Sequence, residues 1–211
     1  MSPKAQRARL PPKRKRSAPI TEAALLHAAA DVFATKGFVD ATVAGVVDRD
    51  KVSRGTFYLY FTNKDDIFAK VMSRVVDDMF EISATRQPGS VRERIEAGNR
   101  AFLQTFKHHR KLMRSVLQVA SMDPAMASIL DDLRSQFAER VRRQLERGVA
   151  TGKCHPLDPA IASYALVLMV EFFAYSWLSF GFGPKRAKLD VETVAMELSR
   201  LWCRAVYKEQ E

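Results

Sequence analysis

Six consecutive residues, Ser53-Arg54-Gly55-Thr56-Phe57-Tyr58, carry two hydroxyls, a guanidinium and a phenol, with Thr42 ahead of them and Tyr60 and Lys64 close behind. Their chemistry is hydrogen bonding. A guanidinium can pair bidentately with guanine O6 and N7, which makes Arg54 the candidate for base contact. Thr42, Thr56, Tyr58, Tyr60 and Lys64 are assigned mainly to phosphates, contacts that position a protein without reading sequence. Ser53 completes the set, and Gly55 allows close backbone approach. Two other readings stand beside these: Arg54 on a phosphate, and Tyr58 and Tyr60 in plain packing. Phe57 and Phe61, spaced i, i+4, already fill inward positions, so both phenols are expected to face out.

Such groups need a rigid element to present them. Val43, Val46 and Val47 fall on one face of a short helix. Asp50-Lys51-Val52 breaks its rhythm, and Ser53 is a good N-cap for a second one. Asn63 caps a third, with Asp65 and Asp66 suited to its positive end. Upstream, Thr21 caps a helix whose inner face is Leu25, Ala29, Val32 and Phe33 and which ends at Gly37. Two short helices joined by a tight turn, the second displaying polar groups, form a helix-turn-helix of the kind that reads DNA.

Gly37-Phe38, Thr42-Val43, Val52 to Tyr58, Tyr60-Phe61 and Lys64-Asp65 resemble the N-terminal signature of the tetracycline-repressor (TetR) family, over Ile20 to Phe68. The departures are Ala41 where the family often has a capping Thr, Val47 for Ala, and Asp50-Lys51 for the usual Ala-Gly of the turn. That turn often needs a left-handed backbone, which disfavours Lys relative to Gly. The resemblance implies a C-terminal domain with a ligand pocket. Its last two helices, here about 158–181 and 190–207, would pack on the same pair of a second subunit as a four-helix bundle. A homodimer places two reading helices on a near-palindromic double-stranded DNA operator, and ligand binding would lower the affinity for it.

The charge is unevenly placed. Of a net +10, residues 1–20 hold seven basic side chains and no acid, among Pro3, Pro11, Pro12 and Pro19. Residues 1–19 are read as a disordered basic arm, with Lys13, Arg14, Lys15 and Arg16 as candidate DNA contacts. A solubilising tail and a nuclear signal are the other readings of that segment. The helix-turn-helix domain, 20–65, is close to neutral, so counterion release must come mostly from the arm.

Residues 66–211 are read as the ligand-binding and dimerisation domain. The stripe Ile67, Phe68, Val71, Val75, Met79 and Ile82 makes the helix begun at Asn63 a long one. Ser90 and Glu93 form a capping box, His108-His109 marks a helix end, and Leu112 to Ala120 is a short helix. Asp123-Pro124 and Asp158-Pro159 are strong start signals. The first opens a long helix whose charged face (Arg134, Glu139, Arg140, Arg142, Arg143, Glu146, Arg147) is most simply solvated. The second opens a helix running to about Phe180 that is apolar nearly all round and must be buried on more than one side. Asp190 caps the last. No strand pattern appears, so the fold class is all-α with about nine helices.

The apolar, soft residues Met72, Met79, Phe102, Phe106, Met113, Leu117, Phe137, Leu168, Met169 and Phe172 are the candidate pocket lining, though each singly is as well explained by ordinary core. Glu171, an acid inside an apolar helix, should face a partner, a pocket or a dimer seam, and Tyr175 could share its face. Such a lining would suit a small hydrophobic effector. No HExxH, P-loop, GxSxG or glycine-rich dinucleotide turn occurs, and the four His have no metal-ligand spacing; no enzyme activity, cofactor or metal is expected. A purely architectural binder would be basic throughout, unlike residues 65–211. A repressor and an activator need the same head. Cys154 and Cys203 are read as free thiols of a reducing compartment. With no uninterrupted apolar run of about 18 residues and no apolar leader before Ile20, neither a membrane span nor a secretory signal is expected. The expected location is cytoplasmic.

Overall fold

The computed structural model describes residues 18–84, 89–183 and 189–208. These form nine α-helices and one π-helical turn: α1 Ala18–Asp40, α2 Val43–Asp50, α3 Arg54–Tyr58, α4 Lys64–Ala84, α5 Val91–His108, α6 Arg110–Ala120, α7 Pro124–Ala150, α8 Pro159–Ala174 followed by the π turn Tyr175–Ser179, and α9 Val191–Val206.

The capping residues set most boundaries. Thr42 Oγ1 accepts from Gly45 N at 3.1 Å and Ser53 Oγ from Thr56 N at 3.1 Å. Asn63 Oδ1 accepts from Asp66 N at 2.8 Å. Ser90 and Glu93 make the reciprocal capping box, Asp158 Oδ1 accepts from Ala160 N and Ile161 N, and Asp190 Oδ1 from Thr193 N at 2.9 Å. Each satisfies a backbone N–H that the first helical turn leaves without a partner.

Two boundaries differ from expectation. α1 already runs from Ala18, so Thr21 is inside it; Gly37, at φ 77°, breaks the helix where a C′ glycine was expected, and one further turn follows. The helix expected to reach Phe180 leaves α geometry at Tyr175. The π turn seats Tyr175, 1% exposed, edge-on against Phe106 with ring centroids 4.8 Å apart. A single extra residue in a turn re-aims one large side chain, which periodicity cannot reveal.

The head, α1 to α3, closes on Phe33, Val46, Val47, Phe57 and Phe61. It is seated on the body at two places. Ser115 Oγ of α6 donates to the Phe33 carbonyl at 3.2 Å, and Phe33, Phe38 and Phe68 stack together across α1 and α4. In the body, α7 packs on α8 and α5 on α9. Asn99 and Ser199, both buried, hydrogen-bond at 2.9 Å across the second pair. The end of α9 is clipped by His155 N donating to Val206 O and Lys208 N donating to Lys153 O.

α8 is not covered on all sides within this chain. Ile161 is 71% exposed and Phe172 51%, and Ala165 between them also faces out. By length and composition Pro159–Ser179, with mean hydropathy 1.6, could cross a membrane, although no uninterrupted apolar run was found in the sequence. Its one acid, Glu171, is bound by Arg134 of the neighbouring helix.

Candidate nucleic-acid interface and the cavity behind it

α2 ends on Lys51 at φ 54°, ψ 37°, whose N–H reaches back to Asp48 O and Val47 O, while Val52 N donates to Val47 O at 3.0 Å. This is a left-handed C-terminal cap built on a lysine, and Lys51 is the one non-glycine with positive φ among the described residues. The sharp reversal delivers Ser53 to the start of α3. Ser53, Arg54, Gly55 and Tyr58 are exposed, and Thr56, half-buried, shares a 2.9 Å hydrogen bond with Ser53. Phe57 and Phe61 are buried beneath them. A Cβ added to Gly55 would meet only Ser53 Oγ, at an ordinary 3.7 Å. The chain itself therefore does not demand glycine there.

The two phenols part ways. Tyr58 rests edge-on against Phe57 yet is 59% exposed, as expected. Tyr60 is half-buried and packed on the core beside Phe61. Lys64 turns inward: its ammonium donates to the Phe38 carbonyl at 2.8 Å and lies 4.3 Å from the centre of the Phe38 ring. It locks the start of α4 to the end of α1. Leu59, 80% exposed between the tyrosines, drew no attention in the sequence because apolar residues are expected inward; an exposed leucine beside a reading helix can meet a thymine methyl. Lys13, Arg14, Lys15 and Arg16 lie outside the described residues.

Behind the head, α4 to α9 enclose a cavity of about 370 Å³, within the range of small-molecule sites. Met72, Phe102, Met113, Phe137 and Glu171, expected in the lining, do line it, with Ile95, Leu130, Leu133, Val167 and Val170. Six expected residues do not. Phe106 and Tyr175 are spent on each other in the core, Leu117 packs half-buried against the core, Leu168 is half-buried away from the cavity, and Phe172 faces outward. Met169 likewise packs against the core. The Met79 side chain lies outside what the structure describes.

The missed residue is Arg134. Its Nε and Nη2 donate to the two Glu171 carboxylate oxygens at 2.7 and 2.9 Å, a bidentate pair on the cavity wall. Both side chains are largely buried. Burial pulls the guanidinium's pKa down, and the hydrogen bonds and charge of Glu171 outweigh it, for a net rise. Arg94, Asn99, Arg140, Gln144, Arg147 and Trp202 also line the cavity, so the charged face of α7 is only partly solvent. Elsewhere on it Arg142 and Arg143 hold Glu139 at the surface and bring its carboxyl down to about 2. Tyr175, near this pair, has its phenol pushed up by burial first and then by Glu171.

Residues 25–71 match the bacterial regulatory proteins of the tetR family, and residues 88–182 match the tetracyclin repressor-like C-terminal domain. The chain belongs to the TetR family. It is a helix-turn-helix transcriptional regulator. It is similar to the HTH-type transcriptional regulator EthR of Mycolicibacterium smegmatis, 24% identical over 88% of this chain and 86% of that one. It is also similar to the uncharacterized HTH-type transcriptional regulator YfiR of Bacillus subtilis, 29% identical over 72% and 74%. The crystal structure of a TetR-like transcriptional regulator from Rhodococcus sp. RHA1 superposes with a TM-score of 0.68 at 26% identity, covering 93% of this chain and 97% of that one. In this TetR-family chain Thr42 to Lys64 lies within the tetR-family match, and the tetracyclin repressor-like region contains most of the cavity wall.

Proposed function

We propose that this regulator is a repressor that binds a near-palindromic operator as a homodimer and is released when an apolar effector fills the cavity. One observation carries the reading: α4 is continuous from Lys64, locked to the Phe38 carbonyl of the head, to Met72 on the cavity wall. A ligand that displaces Met72 must move or stiffen the helix that holds the head, and two heads in one dimer then lose their spacing. Arg54 reads a base, with Ser53, Gly55 and Tyr58 beside it. Thr42, Thr56 and Tyr60 serve phosphates, as does the arm at Lys13 to Arg16, and Lys64 positions rather than contacts. We place the domain borders at 20–65 and 66–211, with no enzyme activity and a cytoplasmic location.

The dimer reading is supported by the exposed stripe Ile161, Ala165 and Phe172 on α8 together with Met196 and Leu201 on α9. Apolar side chains left exposed on the last two helices are what a twofold partner would cover. It also accounts for the apolarity of α8 without a membrane.

The test is binding of the purified full chain to its own upstream DNA as a salt series, with and without residues 1–20. Selective binding with a slope that shrinks on deletion is expected; no selective binding at any salt overturns the reading. In sedimentation, Leu201→Arg should shift the chain from dimer to monomer and weaken operator binding with it.

A further inference from the structure

We infer that the effector is an amphipathic organic anion, an acid with an extended apolar body, held with its charged end away from the DNA head. The inference rests on the effector reading above and deepens it. The cavity is drawn out along α7: its lining on that helix runs from Leu130 to Arg147, which at 1.5 Å per residue is about 26 Å. The two ends differ in kind. Nearest the head stand Met72, Phe102, Met113 and Leu130, with no charge among them. At the other end stand Arg94 and Arg147.

The far end is well defined by its neighbours. Gln144 Nε2 donates to the Tyr207 hydroxyl at 2.9 Å, tying α7 to the end of α9, and the start of α5 brings the Arg94 guanidinium within electrostatic reach of the Tyr207 phenol, which burial pushes up to about 12 against the smaller opposing pull of Arg94. Four arginines face the cavity against one carboxylate, Glu171. That carboxylate is already consumed bidentately by Arg134. Among the described residues neither Arg94 nor Arg147 is paired with an acid, and the Arg94 guanidinium donates to the Gly89 carbonyl. Trp202, also at this end, is buried with its indole N–H lacking a partner among the described residues.

A neutral apolar ligand would leave this end positive and unmet, whereas a carboxylate supplies acceptor oxygens and opposite charge to guanidinium groups. A cationic ligand would be repelled. Arg94 and Arg147 are exposed at the mouth, so the attraction is screened by salt and the discrimination it gives is moderate.

Calorimetric titration of the full chain with decanoate and with decanol, probes of one chain length that differ in charge, tests this. Decanoate should bind about tenfold more tightly at low salt, as two screened charge-assisted contacts allow. The R94Q/R147Q variant should lose that advantage while decanol binding stays unchanged. Equal affinities, or an advantage that survives in R94Q/R147Q, overturn the anion inference and leave the cavity reading standing if Phe102→Trp, which fills the cavity, abolishes both. If neither probe binds, or Phe102→Trp changes nothing, the cavity reading fails and takes the inference with it.

Discussion

The head and the body of this protein recognise their partners with opposite layouts. The head's polar side chains lie between Thr42, the cap of α2, and Lys64, the first residue of α4. The body's cavity is assembled from six helices, and residues as distant as Met72 and Trp202 share its wall. In the head Ser53, Arg54 and Tyr58 are exposed outside the Phe57 and Phe61 core. In the body the recognition wall is the core, so a charge there is structural and functional at once. The lesson is that a substitution in the head can abolish binding at constant stability, while one in the cavity changes both.

Arg134→Met should show the largest effect. It leaves the Glu171 carboxyl largely buried and without its bidentate partner. Breaking a buried pair from one side costs about 3 kcal/mol or more. Denaturant midpoints would measure it, and Arg134→Met with Glu171→Leu should recover most of the loss. A single variant as stable as the parent would remove the pair from the core's architecture. Arg54→Ala comes next: Arg54 is exposed at the start of α3, so thermal stability should hold while operator affinity falls by roughly ten- to a hundredfold, the range for a lost bidentate base contact. A uniform, small loss on every DNA sequence would reassign Arg54 to a phosphate.

The same contrast explains what was legible in the sequence. The head's signals are local: a capping serine, two phenylalanines four apart and a turn residue within a few positions of one another. Even there the inward turn of Lys64 was not legible, because its partner, the Phe38 carbonyl, is 26 residues away. In the body, helix starts were readable from Ser90, Asp158 and Asp190, since a cap acts on its own next turn. Inward and outward faces were harder. Phe106, Phe137 and Phe172 look alike by spacing, yet one fills core, one lines the cavity and one faces out. Arg134 hid in a row of surface charges because its acid is 37 residues on, and the signal that could have paired them was the isolation of Glu171.

Lys51 sharpens the comparison from the stability side. A lysine held at φ 54° carries a left-handed penalty that glycine escapes. Lys51→Gly should raise stability by roughly 0.5–1 kcal/mol, the relief being partly offset by greater unfolded-state entropy. Unchanged operator affinity would show that the turn's geometry, not the ammonium, is what the head requires; a fall in affinity would give Lys51 a place on the phosphates.

The smallest effect concerns the α5–α6 joint. His109 there is half-buried, and its imidazole pKa is lowered by desolvation first and by the adjacent His108 second, against a smaller opposing influence from Asp78 of α4. A histidine whose folded pKa lies below its unfolded value binds fewer protons when folded, so its contribution is present above the ordinary value of about 6.5 and is lost as pH falls through the folded pKa. Acidification below about 6.5 should therefore lower the melting temperature slightly, and His109→Gln should flatten that part of the profile while leaving the neutral-pH value near the parent's. The head's one histidine, His27, is exposed on α1. If the acid sensitivity survived in His109→Gln, it would have to arise elsewhere in the body, and the joint would lose its part in the pH response.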